Sequence, residues 1–166
     1  MSIPRVRVRI QTEDFDLSAE TLALRAADGG IGAVVAFVGT VREASHGQDV
    51  SRMELEHYPG MTESSIESMI AAAEARFDIR AVSIIHRVGS LGALEQIVLV
   101  LVASAHRGQA FQACEFLMDY LKTQAPFWKK EHTPEGAHWV DARVADDAAL
   151  ARWGLSSGNA GEALLP

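Results

Sequence analysis

The sequence contains one cysteine, Cys114, among its 166 residues. A single cysteine excludes an internal disulfide and a zinc site built from several cysteines. The sequence also has no apolar run of the ~20 residues that a membrane-spanning helix needs. Its first ten residues, MSIPRVRVRI, alternate arginine with apolar residues, whereas a signal peptide has a continuous apolar segment. We therefore expect a cytoplasmic protein with no membrane as a partner.

Positive charge is scarce, because 15 Lys and Arg residues stand against 22 Asp and Glu residues, and the formal net charge is −7. Proteins that bind nucleic acid generally carry net positive charge. Nucleic acid is therefore not an expected partner, although this charge balance is compatible with a local anion-binding site.

The sequence also lacks the motifs that indicate a nucleotide cofactor or a serine nucleophile. The sequence has no P-loop, no G-x-G-x-x-G and no G-x-S-x-G turn. Five residues lie between His132 and His138, and no second motif completes a set of four metal ligands. We expect neither a metal site nor a bound cofactor.

Apolar residues make up 48% of the chain, which is enough for the core of one domain. Alternating or continuous apolar runs predict six strands, at residues 5–11, 32–39, 52–58, 81–91, 95–104 and 137–144. Apolar residues at helical spacing predict four helices, at residues 16–27, 62–77, 107–122 and 146–153. Because the order is mixed and neighbouring strands are expected to pair antiparallel, the pattern favours an α+β fold.

Polar residues suggest where these elements begin and which segments lie outside them. Asp16 or Ser18 is expected to cap the first helix, and Thr62 the second. The polar, glycine-containing residues 43–51 predict a mobile loop, and residues 154–166 predict a frayed tail.

The third helix is expected to turn four side chains inward: Phe111, Cys114, Met118 and Leu121. A cysteine on the apolar face of a helix is typical of a buried structural thiol. We therefore interpret Cys114 as part of the core rather than as a nucleophile.

Two junctions between predicted elements carry arginine. His106 and Arg107 lie between a strand and a helix, where free N–H groups, the helix dipole and a guanidinium can bind an anion. The alternative is an ordinary polar loop with a solvated histidine. Gly39 and Arg42 follow another strand end, and the alternative there is a surface arginine.

Residues 121–132, LKTQAPFWKKEH, gather positive charge around a group of aromatic residues. The residue before a proline disfavours helical angles, so the helix should end by Ala125. Phe127 and Trp128 would then pack onto the domain and fix the backbone that carries Lys129. A desolvated lysine in such a place can act as an acid or base. The alternative is an aromatic anchor with solvated lysines.

Six motifs in order give the sequence a family resemblance: GAVVAFVGTVR, LEHYPGM, IIHRVGSL, SAHRGQAF, DYLKTQAPFWKKE and HWVDAR. Together they resemble the large, catalytic subunit of molybdopterin synthase, over about residues 6–153. The resemblance implies an α/β-hammerhead fold with an additional antiparallel β subdomain. It also implies a single catalytic domain at residues 1–153, followed by a flexible tail at residues 154–166.

The same resemblance implies the partners and the reaction. Members of this family form a homodimer, and each copy binds a small ubiquitin-like sulfur-carrier subunit, which gives a heterotetramer. The carrier ends in a Gly-Gly thiocarboxylate, and its sulfur goes to cyclic pyranopterin monophosphate to form the dithiolene of molybdopterin. A binding module that kept the fold and lost the chemistry is the alternative, but Lys122 and Lys129 are both present.

The resemblance also implies the site residues, which match Thr40, Val41, Arg42, His106, Arg107, Lys122, Lys129, Lys130 and Glu131. Lys122 and Lys129 match the lysines assigned to catalysis, and Arg42, His106 and Arg107 are expected to bind the substrate phosphate. Thr40 departs from members that have lysine there. Leu94 replaces a glycine of many members, at a turn that we expect to lie away from the site.

Overall fold

The computed structural model describes residues 6–45, 47–140 and 144–155. Its helices are α1 (Leu17–Arg25), α2 (Met61–Arg76), α3 (Arg107–Gln124) and α4 (Val144–Ala151). Its strands are β1 (Val8–Gln11), β2 (Ala33–Thr40), β3 (Ala44–Ser45), β4 (Gln48–Asp49), β5 (Arg52–His57), β6 (Ala81–Arg87), β7 (Gly89–Gly92), β8 (Gln96–Ser104), β9 (Phe127–Thr133) and β10 (Gly136–Trp139). None of the helices in these ranges is long and apolar enough to cross a bilayer.

The first sheet has the strand order β1-β6-β8-β2. β1 and β6 run parallel, and the other two pairs are antiparallel. Helices α2 and α3 cover one face with Ile66, Ile70 and Phe116, and α1 brings Leu24 to the side of Ile85. Burial on both faces explains why β6 and β8 have continuous apolar sequences instead of alternating ones.

The second sheet is antiparallel and has the order β10-β9-β5-β7. Its core is small and consists of Val41, Met53, Leu55 and Leu91. β6 and β7 are separated only by Val88, so the chain passes directly from one sheet to the other. The described residues form two four-stranded sheets and four helices, which confirms the α+β class. The hammerhead description stays a prediction.

Several predicted elements are confirmed. Asp16 caps α1, since its carboxylate accepts a 2.9 Å hydrogen bond from the Ala19 amide. β6 and β8 pair antiparallel, Cys114 is buried, and α3 ends before Ala125. Burial raises the pKa of the Cys114 thiol to about 11, so the thiol stays protonated.

Other predictions were wrong in detail. Gly60, not Thr62, stands at the cap position of α2, because its φ of 85° suits glycine. Thr62 is fully buried two residues further on, within the first turn of α2, where its hydroxyl donates to the Pro126 carbonyl at 3.2 Å. Phe111 is 61% exposed rather than inward, whereas Met118 and Leu121 pack against the core as predicted.

Three segments also differ from their predicted form. Part of the predicted loop at residues 43–51 forms the short β3–β4 hairpin. β2 extends to Thr40 and is half-buried, because it is an edge strand of the first sheet. Leu155, expected in a frayed tail, is 7% exposed and packs on the core, and residues 156–166 lie outside the described ranges.

Candidate active site

A cleft of about 450 Å³ opens between the two sheets and the end of α3. Its apolar wall includes Phe37, Met53, Leu55, Val98 and Phe127. Its polar lining comes from four separate segments of the chain and consists of Thr40, Arg42, His86, Lys122, Thr123, Lys129 and Glu131. An apolar cleft with a few convergent polar groups is the usual form of a small-molecule site.

Lys122 reaches the cleft from the last turn of α3, where its side chain is exposed. The helix stops there because Ala125 is extended, as the residue before a proline prefers. The Pro126 carbonyl is held by the Thr62 hydroxyl, which ties this corner to the start of α2. A cation at the end of a helix also complements the negative end of the helix dipole.

Lys129 reaches the same cleft from β9, which pairs with β5 so that Lys129 lies opposite Leu55. Two aromatic contacts hold the start of this strand. The Phe127 ring stacks on the His86 ring with 3.8 Å between centroids, and the Trp128 ring meets Tyr58 edge-on at 4.2 Å. The sequence predicted this anchor, and the structure shows that it belongs to a strand.

Alternation along β9 sorts the following residues onto two faces. Phe127, Lys129 and Glu131 line the cleft. Lys130 is on the other face, where its Nζ lies 5.5 Å from the centroid of the Trp139 ring. The structure thus brings Glu131 to the cleft and places Lys130 outside it.

Glu131 is only 3% exposed, and its Oε2 has no hydrogen-bond partner among the described residues. Buried carboxylate oxygens are normally paired, because leaving them unpaired costs free energy. Glu131 is thus a buried carboxylate at the wall of the cleft, with one oxygen that the described residues leave unpaired.

Thr40 and Arg42 come from the end of β2 and flank Val41, which is fully buried. The Val41 amide donates to the Glu95 carbonyl at 2.9 Å, and the Val41 carbonyl accepts from the Leu94 amide at 2.7 Å. This corrects the expectation that the turn at Leu94 lies away from the site. The turn holds the backbone between Thr40 and Arg42 by hydrogen bonds in both directions.

His106 and Arg107 lie elsewhere. They border a separate depression of about 490 Å³ at the first turn of α3, together with Gly32, Ala33, Ala105 and Gly108. Sixteen helical steps of 1.5 Å separate His106 from Lys122, so the two ends are about 24 Å apart. Within one chain, this pair does not join Arg42, Lys122 and Lys129.

His86 is the cleft residue that the sequence reading missed. It sits in the apolar run of β6 and reads there as part of a buried strand. Its Nδ1 lies 2.8 Å from the Arg87 carbonyl. Burial, together with the positive charges of Lys122 and Lys129, lowers the pKa of His86 to about 4, so the ring is neutral at neutral pH.

The described residues include no cluster of three or more histidine, cysteine or acidic side chains that could hold a metal ion. The cleft offers cations, a neutral imidazole and a buried carboxylate. Such a set suits the binding of an anionic ligand that also carries hydrogen-bond donors.

Comparison with known proteins identifies the family independently of the cleft geometry. The sequence model of the MoaE protein family matches residues 10–124. The molybdopterin synthase catalytic subunit of Ralstonia nicotianae is 60% identical over 94% of this chain and 89% of its own length.

Solved structures agree. The molybdopterin biosynthesis MoaE protein from Burkholderia ambifaria superposes with a TM-score of 0.78 at 60% identity, over 90% of this chain and 99% of its own. A complex of subunits 1 and 2 of molybdopterin-converting factor from Helicobacter pylori shares the fold, with a TM-score of 0.69 at 20% identity, over 84% of this chain and 92% of its own. From these matches, the chain belongs to the MoaE protein family.

Proposed function

We propose that this chain is the catalytic subunit of a molybdopterin synthase. In the proposed reaction two sulfurs pass from C-terminal thiocarboxylates of the small carrier subunit to cyclic pyranopterin monophosphate and form the dithiolene of molybdopterin, and water releases each carrier as its carboxylate. The observation that carries this proposal is the convergence of Lys122 and Lys129 on one cleft, beside Arg42. Family membership supports the same assignment.

The charges of the cleft fit the two proposed reactants. The carrier ends in an anionic thiocarboxylate and the substrate carries a cyclic phosphate, so both need cations. In the proposed mechanism Lys122 lies near the thiocarboxylate and acts as acid or base, or activates the acyl group from which sulfur departs. Lys129 holds the pterin or the carrier tail, and Arg42 meets the phosphate. Fixed cations in a partly dry cleft stabilise charge that develops as sulfur attacks and a phosphate oxygen leaves.

The carrier tail is proposed to enter the cleft in an extended form. A Gly-Gly end has no side chains, so it can thread between walls that would exclude other residues. Two observations support a partner of this kind. The Ralstonia nicotianae relative is named a catalytic subunit, and the Helicobacter pylori protein is a complex of two subunits.

The position of His106 and Arg107 supports a homodimer as the working unit. Because they lie about 24 Å from Lys122 along α3, they can bind the same substrate only if a second copy of the chain brings them to the cleft. We therefore propose that each site combines the cleft of one chain with the His106 and Arg107 of its neighbour, within a heterotetramer.

Reconstitution tests the proposal. The purified chain is mixed with thiocarboxylated carrier and cyclic pyranopterin monophosphate, and dithiolene formation is followed by mass spectrometry. We expect product with the thiocarboxylated carrier and none with its carboxylate form. Binding of both partners without product would instead indicate a module that has lost the chemistry.

A further inference from the structure

His86 is built into the wall of the cleft with little freedom to move. Its side chain is 9% exposed, and its ring lies at 19° to the plane of Phe127. The second contact is the 2.8 Å hydrogen bond between Nδ1 and the Arg87 carbonyl. A stacked face and a bonded nitrogen together fix both the position and the rotation of the ring.

The hydrogen bond to Arg87 also fixes the tautomer. A carbonyl oxygen can only accept, so Nδ1 must carry the proton. The neutral ring then presents Nε2 as a lone pair, and Nε2 has no hydrogen-bond partner among the described residues. His86 therefore offers a fixed acceptor at the wall of the cleft.

The surrounding charges restrict what this acceptor can bind. Lys122 from α3, Lys129 from β9 and His57 from β5 all act on His86, and Lys122 and Lys129 line the same cleft. Positive charge disfavours protonation of the ring, so Nε2 stays an acceptor and does not become a donor. An anionic group would therefore find no hydrogen-bond donor at Nε2, whereas a neutral N–H or O–H group would find an acceptor there.

We propose that His86 is a substrate-contacting residue whose Nε2 accepts a hydrogen bond from an N–H or O–H group of a heteroaromatic substrate bound in the cleft. This inference rests on the proposed function, because the pterin ring system supplies such groups. His86 would thus bind the pterin ring, while the lysines and Arg42 bind the charged ends of the reactants.

Two substitutions separate this role from simple packing. His86→Phe keeps a ring to stack on Phe127 and removes the acceptor. His86→Gln removes the ring and places a carbonyl oxygen near the position of Nε2. His57→Phe is the matched control, because the His57 ring also lies near Phe127, at 6.5 Å between centroids, but does not line the cleft.

The experiment measures the Kd of cyclic pyranopterin monophosphate by calorimetry on the complex with unactivated carrier, and kcat and KM with thiocarboxylated carrier. We expect His86→Phe to raise Kd and KM about tenfold with little change in kcat, because an unpaired donor is left on the ligand. His86→Gln should stay within about threefold of wild type, and His57→Phe should match wild type.

Other results would overturn the proposal: wild-type binding by His86→Phe, a larger loss in His86→Gln than in His86→Phe, or an effect confined to kcat and its pH profile. If a variant fails to fold, ¹⁵N NMR of the wild-type ring decides, since the Nε2 resonance must move when substrate is added. A wild-type protein that binds substrate but makes no product would count against the proposed function. The binding measurements on the His86 variants would still decide whether His86 contacts the substrate.

Discussion

His86 and Leu94 show how single residues set the properties of the cleft. His86 did not stand out in the sequence because it lies in an apolar strand, whereas Leu94 stood out only as a departure from the glycine of many family members. His86 acquires its depressed pKa from burial and from lysines that are 36 and 43 positions away in the chain. Leu94 has a φ of 70°, a left-handed conformation that leucine rarely adopts.

The depressed pKa of His86 makes folding stability depend on pH. The unfolded chain binds a proton near the ordinary pKa of 6.5, and the folded chain only near 4. The free energy of unfolding should therefore fall by up to roughly 3 kcal/mol as pH drops from 6.5 to 4. Urea titrations across this range should show that His86→Phe removes this part of the slope. His138→Phe changes an exposed histidine of β10 and should leave the pH dependence as in wild type. Equal slopes in wild type and in both variants would contradict the assignment of this pH dependence to His86.

Leu94→Gly should stabilise the protein. Glycine adopts the left-handed conformation without steric cost, and the Leu94 side chain is 69% exposed, so little packing is lost. We expect a gain of about 0.5–1 kcal/mol, or a rise in Tm of about 2–3 °C by calorimetry. Ala93→Gly is the control and should destabilise, because Ala93 does not have a positive φ. A lower Tm for Leu94→Gly would contradict this account.

At the scale of elements, α3 was predictable and β9 was not. Apolar spacing and Pro126 gave the end of the helix within two residues. The residues of β9, FWKKEHT, mix charge and aromatics and have no clear alternation of polarity. Their two faces appear only through pairing with β5, which turns Lys129 to the cleft and Lys130 to Trp139. The resemblance predicted both as contacts, and strand geometry separates them.

This separation predicts different effects for two adjacent lysines. Lys129→Ala should weaken binding of cyclic pyranopterin monophosphate about tenfold, because a charge-assisted contact is lost. Lys130→Ala should bind as wild type does, since its ammonium lies over the Trp139 ring outside the cleft. Calorimetry on both variants makes the comparison. Equal losses would show that β9 does not divide its lysines between two faces.

At the scale of the whole molecule, the predicted helix at residues 107–122 already places Arg107 and Lys122 at opposite ends and so keeps them apart within one chain. The strand-to-helix junction was identified correctly as the start of α3. Its distance from the cleft follows from the length of the helix. The sequence does not show how a second copy of the chain is placed relative to the cleft, and this arrangement stays a proposal.

Mixed dimers test that arrangement. Lys122→Ala and Arg107→Ala, each inactive alone, should restore activity when subunits exchange, because half of the dimers then contain one intact site. Roughly a quarter of wild-type activity is expected. Mixing Lys122→Ala with Lys129→Ala, which damage the same cleft, should give no more activity than the two variants show separately. Absence of recovery in the first mixture would contradict a site shared between chains.

A single-turnover reaction shows whether Lys122 promotes sulfur transfer in the cleft. Wild type and Lys122→Ala are each loaded with thiocarboxylated carrier and cyclic pyranopterin monophosphate, and dithiolene is measured over time. The account predicts a loss of about 10²–10³-fold in rate, with the fold and the binding of the carrier intact. A Lys122→Ala protein that folds, binds the carrier and forms product at the wild-type rate would contradict it.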